Sequence, residues 1–400
     1  MTRDVSGGAL EGKPLARLHE RPANVSAGET LHTAFTSAVT LSPADRARWH
    51  LLASQRPTSG PLVDAAWMLS WTTAFDPSHP MLAGVWEGED LVGLAAMQSL
   101  TEVWWGRRLA VLQSLTNDES FRFDFLSWEG RLDIERELWR ALCDANRWDV
   151  VRIDHVPEGS PTLTAGPAVA RDLGWRPLLV PTYSTPWRRF SRGVPWDEGL
   201  KRKFKSNLRN RERRLTALGE VSFQVVTADG PLQQAMDVFY ALEGSGWKGE
   251  SGTAVVQRRP VKRFYDGLVD KASGDVWVPI LSVNGKPVAA QVLRVWGRTM
   301  FMLKTAYDQE YSEYAPGQLI TARVIRYGLD HDMEALDFLA ANASWKADWA
   351  PQLRPHYQLL LFAPSLRGRW AYWLRYGLRE QARKLPGMVR LARWLRRKRS

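Results

Sequence analysis

Thr299-Met-Phe-Met-Leu-Lys-Thr-Ala306, Tyr307-Asp-Gln-Glu-Tyr-Ser-Glu-Tyr-Ala315 and Pro316-Gly-Gln-Leu-Ile-Thr-Ala-Arg-Val-Ile-Arg-Tyr-Gly328 follow one another without a gap. The first block is short and apolar, as a buried strand is. The second is a polar, aromatic loop. The third places Leu319, Ile320, Val324 and Tyr327 on one helical face. Pro316 suits the first helical position, where its missing N–H costs nothing, and Gly317 lets a ligand approach the backbone closely. Free amides and the positive end of the helix dipole at that start suit a phosphate. An ordinary strand–loop–helix connection fits the same pattern.

Outward from this stretch, two runs share a similar order. The first predicts helices over Ser42–Ser54 and Leu62–Phe75. A strand pair, Met81–Trp86 and Leu91–Leu100, is joined by the turn Glu87-Gly-Glu-Asp90. Strands Arg108–Leu115 and Phe121–Leu126, helix Leu132–Asn146 and strand Asp149–Asp154 follow, then a loop over Pro157–Pro167 and an extended Leu178–Trp187. The second run predicts a helix over Trp196–Leu218 stopped by Gly219, strand Val221–Val226 and helix Leu232–Leu242. Past Val261–Ala272 comes a hairpin, Val276–Val283 and Lys286–Trp296 about Asn284-Gly285. After the opening stretch come strands Ala335–Ala341 and His356–Phe362. Both runs read as helices on a mixed α/β sheet, with a boundary near Arg189–Pro195. The expected layout is a disordered lead-in over 1–30, domains over 31–190 and 191–365, and a tail over 366–400.

Of the 400 residues, 44% are apolar, enough for full cores, and no apolar run reaches the roughly 20 residues of a membrane span. The first 30 residues lack the apolar core of a secretory signal, and the single Cys143 agrees with a reducing cytoplasm. Cys143 reads as a small buried hydrophobe. The net charge of +11 is uneven: residues 366–400 hold twelve Lys/Arg and one acid, Glu380, while the remainder balances. The basic character therefore belongs to the tail and not to the folded body. Trp370, Trp373, Leu374 and Leu378 lie there beside Arg375, Arg379 and Arg383, and Leu391, Trp394 and Leu395 recur after Pro386-Gly387. Such a segment suits an anionic membrane surface at the inner face of the cell membrane, though a basic tail attracting RNA has the same composition.

Leu200–Leu215 is a second signal. Leu200, Phe204, Leu208 and Leu215 leave a face with Lys201, Lys205, Arg209 and Arg213, and Lys203 and Arg211 stand nearby. That face can attract phosphate or simply be solvated. A neutral body without a nucleic-acid module argues against DNA.

Lys203-Phe-Lys-Ser-Asn-Leu-Arg-Asn-Arg-Glu-Arg-Arg-Leu215, Trp247-Lys248, Lys286-Pro-Val-Ala-Ala-Gln291, Tyr307–Leu319 and Asp337-Phe-Leu-Ala-Ala-Asn-Ala-Ser-Trp-Lys346 together resemble the GNAT superfamily, in its Fem-like double-domain branch associated with cellulose or exopolysaccharide biosynthesis. The resemblance covers about Phe35–Phe362, with the specific motifs in the second half. It implies two tandem GNAT-like domains and transfer of an acyl group from acyl-CoA to a sugar, amino-sugar or amino-acid-like acceptor. Ala315, Gly317 and Gln318 match the pyrophosphate turn. The family often shows Gln/Arg-x-x-Gly-x-Gly/Ala there, whereas Tyr314-Ala-Pro-Gly-Gln318 has one glycine and no base. Lys203, Lys205 or Arg209 can supply the charge, and the departure leaves room for an aminoacyl-tRNA donor to a peptidoglycan precursor. A decayed, non-enzymatic binding module is a third possibility.

An activated thioester needs mainly positioning. Main-chain N–H groups near Lys304–Ala306 would polarise the carbonyl. Asp308 and Asp337 are the candidate bases, and Tyr307 would protonate the departing thiolate. Lys346 reads as a holder of an anionic group beside the reacting centre. Trp247 and Lys248, with Tyr311 and Trp345, are the expected acceptor contacts. Each also has a plain structural reading, as a cap, an ion-pair partner or a packed aromatic. His155, His331 and His356 have no metal-ligand spacing.

Overall fold

The computed structural model describes residues 31–36, 41–144, 146–246, 252–341, 344–349 and 352–377. The expected lead-in over 1–30, Trp247, Lys248 and the tail beyond 377 lie outside them.

Four antiparallel strands, β1 (Leu31–Thr36), β2 (Pro80–Glu87), β3 (Asp90–Trp104) and β4 (Arg107–Ser114), open the sheet, with the two-residue strand β5 (Leu126–Ser127) against β3. Helices α1 (Pro43–Ser54) and α2 (Ala65–Phe75) intervene between β1 and β2. Then come α3 (Leu132–Leu142), β6 (Val150–Pro157), α4 (Pro161–Asp172) and the long β7 (Arg176–Arg189). The second run repeats the plan: α5 (Arg202–Thr216), β8 (Val221–Val226), α6 (Leu232–Ser245), α7 (Arg259–Lys271), β9 (Val276–Val283), β10 (Lys286–Trp296) and β11 (Thr299–Tyr307). It ends with α8 (Pro316–Asp330), β12 (Ala335–Asp337), β13 (Gln352–Phe362) and α9 (Leu366–Tyr372).

In each run a four-strand meander is followed by one parallel strand that returns after a helix: β6 beside β4, and β12 beside β11. Parallel neighbours need such a crossover, whereas hairpins join β2 to β3, β3 to β4, β9 to β10 and β10 to β11. The strand order is β1-β2-β3-β4-β6-β13-β7-β12-β11-β10-β9-β8. Thus β13, from the end of the second run, lies between β6 and β7 of the first, and β7 reaches β12. The two long strands are exchanged, so a cut near residue 190 does not divide the sheet. A buried pair crosses the same seam: Arg294 on β10 grips both carboxylate oxygens of Asp64 before α2, at 2.9 and 2.6 Å.

Several elements depart from their sequence reading for local reasons. Phe121–Leu126 is not a strand until Leu126, because its backbone bonds elsewhere: Phe123 N–H to His155 O and Phe125 N–H to the Thr162 hydroxyl. The expected loop over 157–167 contains α4, begun by Pro161 and capped by Ser160. The helix expected from Trp196 starts at Arg202. Arg188 holds the Trp196 and Glu198 carbonyls in turns, and Gly199 adopts a positive φ of 76°. The loop before α8 contains a 3-10 turn, Gln309–Tyr314. Helix α3 ends at Leu142, short of Asn146; Cys143 beyond it is buried, which pushes its thiol up to about 12.

Candidate active site

Strands β11 and β12 pair over three residues only, Thr299–Phe301 against Ala335–Asp337, and then part. Two devices open the wedge. Val292 of β10 faces Lys304 of β11 while Leu293 faces Met302, so Leu303 is an extra residue that bends β11. On the other side the chain leaves the sheet after Asp337. The Phe338 N–H turns to Pro186 O, and Leu339 and Ala340 take φ of 45° and 46°. Left-handed geometry costs an ordinary residue roughly 1–2 kcal/mol. Lys346 offsets that cost, donating to the Phe338 and Leu339 carbonyls at 3.0 and 2.7 Å, while Asp337 accepts the Leu339 N–H. The strand expected to run to Ala341 therefore stops at Asp337.

Lys346 is thus a clamp on main-chain carbonyls rather than a free cation for a ligand. Burial lowers its pKa to about 8, with Asp337 opposing. The unfolded chain binds this proton up to about pH 10.5, so between pH 8 and 10.5 it holds more protons than the fold and stability rises with pH. Lys346→Met should flatten that rise in chemical-denaturation midpoints. An unchanged alkaline limb would rule out this account.

At the other lip, α8 begins where Ala315 adopts φ 48° and ψ 57°. Its carbonyl folds back to accept the N–H groups of Gln318 and Leu319 at 2.9 and 3.2 Å. Pro316 has no N–H. Among the described residues nothing accepts the Gly317 N–H, so one amide, not a cluster, is open at this turn. A Cβ on Gly317 would lie 3.4 Å from the Tyr307 ring, which forms the adjoining wall. Gln318 is engaged by the Trp349 indole.

The basic side chains expected to assist are largely committed. Lys205 and Arg209 lie 3.8 and 3.6 Å from Asp197, and Arg214 joins Glu313 with its guanidinium over Tyr314. Lys203 is exposed, with no ion-pair partner among the described residues. Lys304 is committed too: its ammonium is 3.0 Å from Glu119, which also binds Arg258 at 2.6 Å. Ala306 is buried and pairs with Ala290.

Neither candidate base is placed as one. Asp308 caps the 3-10 turn through the Glu310 N–H at 3.0 Å and pairs with Lys286 at 2.9 Å. Asp337 is 2% exposed, with Arg122 at 2.8 Å and Arg354 at 2.5 Å. Burial alone would raise its pKa, but the two guanidinium groups hold it below the ordinary value. Arg122 also donates to the Thr58 carbonyl, Thr185 and His356 Nε2. Glu119 is likewise kept ionised by Lys304 and Arg258 against the pull of burial. These carboxylates are counter-ions that lock the exchanged strands and the 116–125 segment together. Glu119, Arg122, Arg354 and His356 carry no local sequence signal; only their convergence from distant segments gives them a role.

Tyr311 packs under Lys286, 5.3 Å from its ammonium, and Trp345 lies edge-on to Phe338 at 6.0 Å. His155 and His356 meet on Tyr183, one by a hydrogen bond of 2.9 Å and the other by stacking at 4.9 Å. Among the described residues no group of three or more His, Cys, Asp or Glu is placed to hold a metal ion.

The sheet thus parts between the fourth and fifth strands of the second run, beside a helix start with an open amide. Residues 202–347, which hold the wedge and this helix start, match the acetyltransferase (GNAT) domain family. Comparison with curated proteins finds no sequence match. Among solved structures, FemX superposes with a TM-score of 0.53 at 10% identity, covering 86% of this chain and 99% of its own. The C-terminal domain of a protein described as a lysylphosphatidylglycerol synthetase, from Agrobacterium fabrum, gives 0.52 at 13% identity, with 81% and 92% covered. A conserved protein from Bacteroides thetaiotaomicron gives 0.51 at 14% identity, with 80% and 98% covered. At such identities the likeness is one of fold: two GNAT-like units in tandem.

The two units differ at this helix start. The equivalent helix of the first, α3, starts with Asp133 and Glu135 in its first turn, and Arg131 before it is bound to Glu87 and Asp133. Asp133 is exposed at that helix start and opposes an anion, while Glu135 is buried on Arg56 and Ser127.

Proposed function

We propose that the protein transfers an acyl group, in the simplest case acetyl, from CoA to an amine or hydroxyl of a sugar, amino sugar or amino-acid-like acceptor in envelope or exopolysaccharide assembly. The donor's diphosphate lies at the Gly317 amide, its thioester enters the wedge between β11 and β12, and the acceptor approaches between the two runs. The acceptor's nucleophile bonds to the thioester carbon, the C–S bond breaks, and the thiolate takes a proton. Tyr307, the last residue of β11, is the phenol this reading assigns to give it. The neighbouring carboxylates Asp308 and Asp337 are taken up by ion pairs, so orienting the acceptor supplies most of the rate and its proton leaves to water. The observation that carries this reading is the wedge together with the one open amide at its lip.

A second reading, aminoacyl transfer from tRNA, draws on the FemX-like fold and on the exposed Lys201, Arg202 and Lys203 at the start of α5. Thermal unfolding separates the two. A ligand bound only by the folded state raises its stability by about 2.7 kcal/mol at a hundredfold excess over Kd. Acetyl-CoA should raise the midpoint and uncharged or charged tRNA should not. Protection by charged tRNA alone would select the second reading.

A further inference from the structure

We propose that the tip of the β3–β4 hairpin and the outer face of α9 form one docking surface for an anionic lipid bilayer. The proposal is independent of the transferase reading. Trp104 pairs with Arg107, leaving Trp105-Gly106 as a two-residue turn with φ of 49° and 81°. Such a turn needs positive φ at both places, and Asn, Asp or Gly ordinarily fills the first. Here a tryptophan occupies it, 78% exposed, with Val103 beside it 65% exposed. A strained backbone that holds a large apolar ring out in water calls for a partner off the fold.

The hairpin does not stand alone. The Trp104 ring is buried in a small cluster with Leu360, Phe362 and Ala371, through which α9 leans on the sheet. Arg107 lies over the Trp370 ring at 5.2 Å. A depression of about 620 Å³ joins Val103 and Trp105 to Leu374 and Tyr376. Leu366, 85% exposed, and Trp373, 49% exposed, continue the apolar surface on this segment. Arg107, Arg108, Arg367 and Arg369 are exposed around it. The hairpin's acid, Glu102, is held by Arg152 at 2.6 Å and by the Trp104 indole at 2.7 Å. In the sequence that follows, residues 378–400 hold nine Lys/Arg, one acid and further Leu and Trp.

Protruding tryptophan and aliphatic side chains ringed by arginine match the interfacial zone of an anionic membrane. A nucleic acid would use the arginines and leave Val103 and Leu366 in water. The packing of α9 also moves the start of any separable tail from 366 to about 378, since removing Trp370 and Ala371 would uncover the cluster beneath.

Flotation of the full chain with vesicles of phosphatidylcholine, with and without phosphatidylglycerol, tests the proposal. The wild type should float with the anionic vesicles and less so in high salt. Val103→Ser with Trp105→Ser should cut partitioning about tenfold, in proportion to the apolar area withdrawn. Arg107→Gln with Arg108→Gln should cut it by about 25-fold, at about fivefold for each of the two basic residues. Both variants should keep the wild-type melting temperature. Flotation equal to wild type in both variants would overturn the proposal, as would binding of RNA without binding of vesicles.

Discussion

Asp337→Asn should lower the free energy of unfolding by about 3–5 kcal/mol, the usual cost of leaving buried charges without their partner. The amide keeps the shape of the carboxylate but not its charge, so Arg122 and Arg354 would face each other unbalanced. Arg122 is fixed from four directions, by Asp337, Thr185, His356 and the Thr58 carbonyl, and cannot swing to solvent. Urea midpoints measure the effect. Were Asp337 the general base instead, the variant would keep its stability and lose about 10²–10⁴-fold in turnover. The two roles therefore predict opposite pairs of results.

The same network sets an acid limb. Asp337's pKa is depressed in the fold, so its stabilisation is present above the unfolded value of 3.8 and is lost as pH falls through the folded one. His356 adds to it. Burial and the adjacent Arg122 lower its pKa to about 3, and it stays neutral, its Nε2 accepting from Arg122. Its contribution is complete above pH 6.5 and fades toward pH 3. His356→Gln should flatten stability across that window, and Asp337→Asn should remove the steeper loss below pH 4.

Gly317→Val should weaken acetyl-CoA binding by about 10- to 150-fold while leaving the fold intact. A hydrogen bond to a charged group is worth about 1.5–3 kcal/mol, which converts to that range. The position tolerates a side chain, because a Cβ would meet only the Tyr307 ring at 3.4 Å and Gly317 sits in the first turn of α8 with no need of positive φ. A branched side chain would nevertheless stand between the open amide and the diphosphate. The loss should appear as a missing rise in melting temperature with acetyl-CoA at concentrations that protect the wild type. Equal protection of both proteins would move the donor away from this turn and sink the proposed chemistry.

Much of this architecture is legible in short stretches. Asn284-Gly285 between two apolar alternations places the β9–β10 hairpin to the residue, since the turn has few other solutions. Pro316-Gly317 likewise marks the start of α8. Where a segment's bonds are long-range, local reading misleads. Phe121–Leu126 alternates like a strand, yet Arg122 and Asp124 on it are buried: Arg122 reaches Asp337, 215 residues away, and Asp124 takes the Ser160 and Thr162 hydroxyls. Ala335–Ala341 has strand composition throughout, but Lys346 captures the two carbonyls at the point where the chain must turn aside.

Local chemistry alone therefore settles the type of each half: strand meander and crossover helix are written in nearest-neighbour preferences and apolar spacing. The exchange of β7 and β13, the single open amide among three helix-start residues, and the conversion of Asp337 from apparent base to buried counter-ion depend on which distant groups meet. Such meetings are set by the packing of the whole sheet, because a charge's role follows from its partners and its depth, and neither is carried by the residue itself.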